Sequence, residues 1–325
     1  MSIRIAWPSG LICGQVLACM LLGAGPTMAE PAHRTRYAQA APGAILLPSA
    51  DQRQEDQLFN IVRELSSACG NAAWSLWYTN DYDSWRNRKT PALSLNYSVR
   101  SYQSLPPLPA SLPEPLKLRA EPAIRSANEV LRGSGEVFKD LATYINAKDY
   151  EDDKFKKGDE LNAKLLAAGK SCHQLDAELT EIYRDLAVQV IDRRKAAAPH
   201  PEIVATMIAD WQKARALSRE LARFAAADRA TLEGLVRDIS ALSEERKASF
   251  EPLKQAPQVM VKRFYEAILQ DDVAVKMRRL LREAKTPKAF KEASEDRPRS
   301  SFWSARREID YAMPDAILSY LRNPD

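Results

Sequence analysis

Residues 144–170 decide the fold of this chain and read YINAKDYEDDKFKKGDELNAKLLAAGK. An apolar stripe enters this stretch at Ile124, Ala127, Leu131, Ser134, Phe138, Leu141 and Ile145. A second apolar stripe leaves it at Leu161, Leu165, Ala168, Cys172, Leu175, Leu179, Ile182, Leu186 and Val190. Because both stripes repeat every three or four residues, each marks one face of an α-helix. The stretch is therefore predicted to be the tight, acidic turn of an antiparallel hairpin of two long helices.

The acidic turn also carries a family resemblance. The run from Asp149 to Gly158, followed by Glu160 and Leu161 and preceded by a tyrosine-rich helix, resembles the YiiG-like family of exported bacterial proteins. The resemblance extends over residues 57–198. It implies an all-helical protein of the bacterial envelope, often a lipoprotein, whose activity is uncharacterised. It thus implies a fold and a location, but it assigns no catalytic residue.

The composition favours helices over sheets. The chain has 325 residues, 45% of them hydrophobic, and only 11 glycines. Alanine, leucine, arginine, lysine and glutamate are abundant, and these are strong helix formers. We expect an all-α protein, an elongated antiparallel bundle with a helical domain over residues 51–198 and a C-terminal helical extension over 199–325 that packs on it. The predicted helices span residues 51–78, 122–148, 153–197, 201–250, 258–270, 272–284 and 301–321.

Two stretches between the first and second helices break the helical pattern. Leu93, Leu95, Tyr97 and Val99 alternate with other residues at the period of a strand. Because no second strand is evident for pairing, we expect an extended segment that lies across the bundle. The prolines between residues 106 and 115 then predict a polyproline II connector, since proline excludes a helix interior.

The first 29 residues are typical of a secretory signal peptide. Arg4 supplies the charged start, residues 11–22 the apolar run and residues 27–29 a cleavage site of small side chains. A transmembrane helix needs about 20 apolar residues, so no transmembrane segment is expected. In the alternative, Cys19 ends a lipobox and carries a lipid anchor. Residues 30–50 are expected to form a flexible tether, and the protein is expected in the periplasm, either free or anchored as a lipoprotein.

Two cysteines remain after removal of the signal peptide. Cys69 lies on the apolar stripe of the first helix, and Cys172 lies on that of the third. An oxidising compartment favours disulfides, and two core-facing cysteines meet if their helices are neighbours. We therefore predict a disulfide between Cys69 and Cys172. The alternative is a pair of separate buried thiols.

An aromatic cluster is the main candidate for a binding site. Its candidate residues are Trp74, Trp77, Tyr78, Tyr82, Trp85 and Arg86. Aromatic ring faces with nearby charged side chains bind sugars or peptides when they are exposed, and an exposed aromatic patch marks an interaction surface. Aromatic residues at helical spacing also pack inside bundles, so burial of the same rings against the hairpin is the alternative.

No motif predicts catalysis, a cofactor or a metal site. The three histidines lack zinc spacing. An EF-hand frame on the acidic run fails at Lys154, where the calcium loop requires glycine. The chain has 47 Lys and Arg against 43 Asp and Glu, and the two signs interleave along the helices. Because nucleic-acid binders concentrate positive charge on one face, no nucleic-acid partner is expected.

The sequence leaves three functional hypotheses. The leading one is a non-enzymatic binding or scaffold module of the cell envelope that uses long helical faces, with an envelope protein or cell-wall material as its partner. The alternative is a periplasmic binder of a saccharide or peptide at the aromatic cluster between Trp74 and Arg88. The third is a hydrolase, which would need polar residues that converge from separate helices.

Overall fold

The computed structural model describes residues 49–78, 82–88, 107–198, 200–223, 228–250, 258–286 and 301–322. The described part is 91% helical and contains no strand, so the predicted all-α helical bundle is confirmed. The predicted signal peptide, the tether up to residue 48 and the extended segment at 93–102 lie outside the described residues. Among the described helices, none combines the length and the apolar character that a membrane crossing requires.

The first half of the described chain contains the three longest helices. Its elements are α1 (Ala50–Ala73) with a π-helical extension (Trp74–Tyr78), α2 (Tyr82–Arg88), α3 (Glu114–Ala147), α4 (Tyr150–Asp153), α5 (Lys156–Arg194) and a 3-10 turn (Lys195–Ala197). Helices α3 and α5 pack along each other on either side of the short α4, and α1 packs against both. This arrangement is the hairpin that residues 144–170 predict.

The second half adds helices with two π-helical segments. Its elements are α6 (Pro201–Ala222), α7 (Arg229–Phe250), α8 (Gln258–Lys262), a π-helix (Arg263–Val275), α9 (Lys276–Glu283), α10 (Ser301–Arg307), a second π-helix (Glu308–Ala312) and α11 (Met313–Arg322). Helix α11 packs against α5 and α6, and Trp211 of α6 donates its indole N–H to the Ile309 carbonyl at 2.9 Å. Helices before and after residue 199 thus contribute to one continuous apolar core.

Helix α1 begins with a capping box. The Ser49 hydroxyl accepts the Gln52 N–H at 3.1 Å, and the Gln52 side chain accepts the Ser49 N–H at 2.8 Å. This reciprocal pair satisfies two backbone donors that have no partner inside the helix. The predicted start at Asp51 is therefore close, but the capping residue is Ser49.

Helix α3 begins eight residues before the predicted Pro122, at Glu114. Pro115 lies in the first turn, where the missing N–H removes no intrahelical hydrogen bond. Pro122 lies inside the helix on an exposed face. The prediction that prolines up to residue 115 exclude a helix was therefore wrong for the last of them, because position within the first turn decides whether proline is tolerated.

The predicted helix over residues 201–250 is two helices, α6 and α7. The Asp228 carboxylate accepts the N–H groups of Ala230 and Thr231, each at 3.2 Å, and so caps a new helix. Residues 258–284 show the opposite difference, since two separate helices were predicted and one continuous helical run is observed. The predicted break near residue 271 is absent there, since α8, the first π-helix and α9 follow one another directly.

Candidate functional site

The predicted binding residues lie on two consecutive segments. The π-helical extension of α1 carries Trp74, Trp77 and Tyr78, and α2 carries Tyr82, Trp85 and Arg86. The side chain of Tyr78 lies outside the described part of the structure. Four of the others, Trp77, Tyr82, Trp85 and Arg86, contact the hairpin of α3 and α5 in two groups that we describe in turn.

The first group covers the turn between α3 and α5. Tyr82 and Trp85 are only 1% and 6% exposed. The Trp85 ring meets the rings of Tyr150 and Phe155 edge to face, with centroids 5.3 Å and 5.8 Å away, and those two rings stack on each other at 5.1 Å. Aromatic pairs at these distances attract each other beyond the burial of their area. The rings therefore hold α2 against the turn and present little free face.

Hydrogen bonds fix the same contact. The Tyr82 hydroxyl donates to Asp159 at 3.1 Å, and the Arg86 guanidinium donates to its other oxygen at 2.9 Å. Inside the turn, the Tyr144 hydroxyl donates to Asp153 at 2.6 Å. Burial, followed by these carboxylates, raises the pKa of Tyr82 and of Tyr144, while the hydrogen bond from Tyr144 lowers the pKa of Asp153. Both carboxylates therefore hold the hairpin turn in place.

The backbone of the turn adopts an unusual conformation at three residues. Lys148, Lys154 and Phe155 have φ angles of 61°, 56° and 71°, in the left-handed region that residues other than glycine seldom adopt. Each such residue costs of the order of 1–2 kcal/mol. The conformation of Phe155 places its ring between Tyr150 and Trp85, so aromatic packing offsets part of this cost.

Gly158 lies in close contact with Tyr82 of α2 and Tyr144 of α3. A Cβ atom at this position would lie 2.6 Å from Cε1 of Tyr144 and closer still to the Tyr82 hydroxyl. Any side chain at this position would have to displace these two tyrosine rings. Glycine is therefore required here by contact rather than by φ, because Gly158 lies inside α5 with no positive φ.

The second group contacts α5 further towards its C-terminus, around residues 169–173. Trp77 is half-buried, with its ring centroid 5.6 Å from that of His173 and the Lys170 ammonium 5.9 Å above its face. Gly169 permits this approach, because a Cβ there would lie 2.9 Å from Cβ of Trp77. Trp74 is half-buried as well. Among the four aromatic candidates whose side chains are described, Trp74 and Trp77 are therefore those that retain some access to solvent.

Cys69 and Cys172 meet at the interface of α1 and α5. Both are fully buried, and their thiols are hydrogen-bonded to each other. This hydrogen bond, together with burial, raises the pKa of the Cys69 thiol. The structure contains both residues as free thiols, so the disulfide between them stays a prediction.

A buried polar cluster, which we term the central network, lies next to the cysteines. It consists of Ser66, Asp176, Thr180, Trp303, Arg307 and Tyr311. The Asp176 carboxylate accepts from the Ser66 hydroxyl, from Arg307 at 3.2 Å and from the Trp303 indole at 3.4 Å. The network thereby joins α1 and α5 to α10 and the second π-helix.

Tyr311 and Arg307 complete the central network. The Tyr311 hydroxyl donates to Ser66 at 2.7 Å and lies 2.9 Å from the Thr180 hydroxyl. The Arg307 guanidinium lies between two rings, 4.7 Å from the centroids of both Trp303 and Tyr311. Cation–π attraction stabilises a guanidinium that is sandwiched in this way and largely removed from water.

A small cavity borders the central network. It is lined by His173, Asp176, Ala177, Thr180, Trp303, Arg306, Arg307 and Asp310. Its volume of about 20 Å³ is close to the space that one water molecule requires. A saccharide or a peptide side chain does not fit there. The cavity therefore suits a bridging water within the polar core.

Two further buried carboxylates accept hydrogen bonds from other helices, as Asp176 does. Asp310 accepts from Arg184 at 3.2 Å and from Ser218 at 2.8 Å. Asp210 accepts from Arg246 and from the Tyr265 hydroxyl, both at 2.7 Å. Each of these acids is fully buried, and each joins helices that are distant in sequence. Buried charges of this kind persist only when they are paired and hydrogen-bonded.

Sequence reasoning missed the central network because its members lie far apart in the chain. The hydrogen bond between Ser66 and Tyr311 spans 245 residues. One signal was available: Asp176 and Thr180 interrupt the inward face of α5, since they lie one and five residues after Leu175 on the apolar stripe. A buried carboxylate requires a donor, but the sequence does not identify which arginine or tyrosine supplies it.

Comparisons with known proteins add no functional assignment. The chain matches no protein-family model, no curated protein and no solved structure. The resemblance to the YiiG-like family therefore stays a prediction from the acidic turn. In the described part of the chain, no group of His, Cys, Asp or Glu side chains is arranged to hold a metal ion.

Proposed function

We propose that this chain is an exported protein of the bacterial envelope that acts as a non-enzymatic binding or scaffold module through its long helical faces. The observation that carries this proposal is the use of its buried acids. Glu55, Asp176, Asp210 and Asp310 each accept hydrogen bonds from two or more donors elsewhere in the chain. These carboxylates connect helices, which supports a structural role for the polar groups of the core.

The outward face of α3 is the surface that we propose for the partner. Leu118 is 68% exposed on it. Beside Leu118 runs a shallow groove lined by Leu108, Lys117, Glu121, Pro122, Arg125 and Ser126. A large apolar side chain in a polar groove supports contact with a protein partner or with cell-wall material.

Site-specific cross-linking in cells tests this proposal. A photo-reactive residue replaces Leu118 or Arg132 on α3, and the matched control carries it at Gln212, which is exposed on α6. We expect one recurrent adduct from the α3 positions and none from the control. Mass spectrometry identifies the adduct as a protein or as a cell-wall fragment. Equal cross-linking from all three positions, or none from α3, would contradict the use of this face.

The same sample tests the proposed export. Mass spectrometry of the mature N-terminus distinguishes cleavage after Ala29, which leaves Glu30 first, from a lipid-modified Cys19. An intact Met1 in a cytoplasmic fraction would contradict export.

We also propose that the Cys69 and Cys172 thiols form a disulfide in the periplasm. Each thiol then gives up one proton and one electron to a disulfide-bearing oxidant, which is reduced to its dithiol.

A saccharide or peptide ligand at the aromatic cluster is the second candidate. Trp77 supports it, since this side chain is half-buried beside Lys170 and His173. The burial of Tyr82 and Trp85 weighs against it, because stacking on a ligand needs a free ring face. Calorimetric titration with cell-wall muropeptides tests this candidate. Binding that Trp77→Ala abolishes and Trp303→Phe retains would favour it over the scaffold.

A further inference from the structure

One stretch of the surface departs from the interleaved charges of the chain. Residues 276–285, which comprise α9 and the two residues after it, carry five cations and a single acid, Glu283. The cations are Lys276, Arg278, Arg279, Arg282 and Lys285. Met277 and Leu281 form the buried side of α9, so the charged residues are left on its outer side.

Helix α7 adds a further cation to the same surface. The Arg278 guanidinium donates to the Ser240 hydroxyl of α7 at 2.7 Å. Arg229, at the start of α7, donates to the carbonyls of Leu281 and Ala284 at the end of α9. The two helices therefore run side by side in opposite directions. Arg237 is exposed three residues before Ser240, a spacing that places both on one face of α7.

Most of these cations lack an acidic partner. Lys276 pairs with Asp272 at 2.6 Å, and Arg279 pairs with Glu283 at 2.9 Å. Within the described residues, Arg237, Arg278, Arg282 and Lys285 form no ion pair with a carboxylate. We term these four residues the basic surface.

Two cations on other faces of the molecule pair with acids of a neighbouring helix. Arg119 of α3 pairs with Asp185 of α5 at 2.7 Å, and Arg63 of α1 pairs with Asp315 of α11 at 3.1 Å. On α3, the exposed Arg132 and Lys139 alternate with acidic residues along the helix. Residues 276–285 therefore stand out by their excess of positive charge, which is what an anionic partner complements.

We propose that the basic surface docks on the anionic phospholipid headgroups of a membrane. Each lysine or arginine near an anionic lipid surface strengthens binding about fivefold. Val275, which is 41% exposed, lies three residues before Arg278 and seven before Arg282 on the same stripe of the helix. An apolar side chain among cations suits the boundary between headgroups and acyl chains. The choice of lipid over nucleic acid rests on the proposed envelope location.

Sedimentation with vesicles tests the inference on the purified full chain. The vesicles contain phosphatidylcholine with about one third phosphatidylglycerol, and phosphatidylcholine alone serves as the neutral surface. We expect binding to the anionic vesicles only, and release at high salt, because the screening length falls from about 10 Å at 0.1 M to about 3 Å at 1 M. The triple variant Arg237→Gln, Arg282→Gln, Lys285→Gln should bind more than tenfold more weakly.

A charge-matched control separates the surface from net charge. The variant Lys139→Gln, Lys156→Gln, Lys164→Gln removes three exposed cations from α3 and α5 and should bind the vesicles as the wild type does. Equal weakening in both triple variants would overturn the inference, and so would salt-resistant binding to neutral vesicles. Tighter binding to a DNA oligonucleotide than to anionic vesicles would overturn the choice of lipid. Cell fractionation reports on the envelope location separately, so a cytoplasmic chain that binds vesicles contradicts only the proposed function.

Discussion

The turn between α3 and α5 and the central network are built from the same chemical groups, tyrosine hydroxyls, carboxylates, an arginine and aromatic rings. At the turn, Arg86 and Asp159 pair at 2.9 Å with about two fifths of each side chain exposed. In the central network, Arg307 and Asp176 pair at 3.2 Å with 19% and 11% exposed. Water can replace a lost partner at the turn but hardly in the core. Loss of the ion pair should therefore cost little stability at the turn and much more in the central network.

The largest effect is expected from the cysteine pair, which borders the central network and has no counterpart at the turn. In the oxidised protein, Cys69→Ser should lower the stability by up to about 4 kcal/mol, because the disulfide closes a loop of about 100 residues. The melting temperature should fall under oxidising conditions and change little under reductant. An unchanged melting temperature in both conditions would contradict the disulfide.

The second-largest effect compares the buried ion pair of the central network with the hydrated pair at the turn. Asp176→Asn should cost about 3 kcal/mol, since it leaves the Arg307 guanidinium buried without a counter-charge. The matched variant Asp159→Asn at the turn should cost less than about 1 kcal/mol, because Arg86 remains hydrated. Urea denaturation of both variants measures the two losses. Equal losses would show that burial does not distinguish the two sites.

A third prediction concerns packing at the turn. Gly158→Ala should cost about 1–3 kcal/mol, because the new methyl group must displace the rings of Tyr82 and Tyr144. The control Gly133→Ala on α3, where a Cβ meets nothing within 4 Å, should instead stabilise the protein by about 0.5–1 kcal/mol. Thermal unfolding distinguishes the two signs. Adding Tyr82→Phe to Gly158→Ala should recover part of the loss, since it removes the nearest atom.

The smallest effect is a pH dependence at the turn. The hydrogen bond from Tyr144 lowers the pKa of Asp153 in the folded protein. Its stabilising contribution is therefore complete above the pKa of the unfolded chain, about 3.9, and is lost as the pH falls through the lower folded value. Wild type and Asp153→Asn should differ in urea midpoint at pH 7 and converge towards pH 3. A difference that stays constant with pH would contradict this assignment.

The sequence predicts what is local and periodic. The stripes around residues 144–170 identify the hairpin, and Cys69 and Cys172 lie on facing helices as their stripes indicate. Capping side chains explain the errors at the starts of α1 and α7, where Ser49 and Asp228 are the caps. The early start of α3 at Glu114 follows from the tolerance of proline in a first turn. The aromatic cluster was found because its members are contiguous. The burial of its rings could not be predicted, because helical spacing alone does not identify the neighbouring helix that covers a ring.

The central network was not predictable for a different reason. Its donors and acceptors come from residues 66, 176–180 and 303–311, and only the packing of α10 and the second π-helix onto α5 brings them together. No window of sequence contains both halves of any of these interactions. The charge excess on α9, by contrast, is visible in ten consecutive residues. It escaped notice because the overall net charge is only +4.

The bonded residues of the central network lie far apart in the sequence, and this separation affects when the chain can fold. Ser66 and Asp176 bond to each other and also to Trp303, Arg307 and Tyr311. The bonds to these last three residues span 127 to 245 residues and close the core. Contacts of such separation slow folding, because a long loop must be ordered before they form. A chain that emerges from the ribosome thus keeps an incomplete core until its last helices are made. For a protein that we propose is threaded across a membrane, this delay leaves time for export before folding.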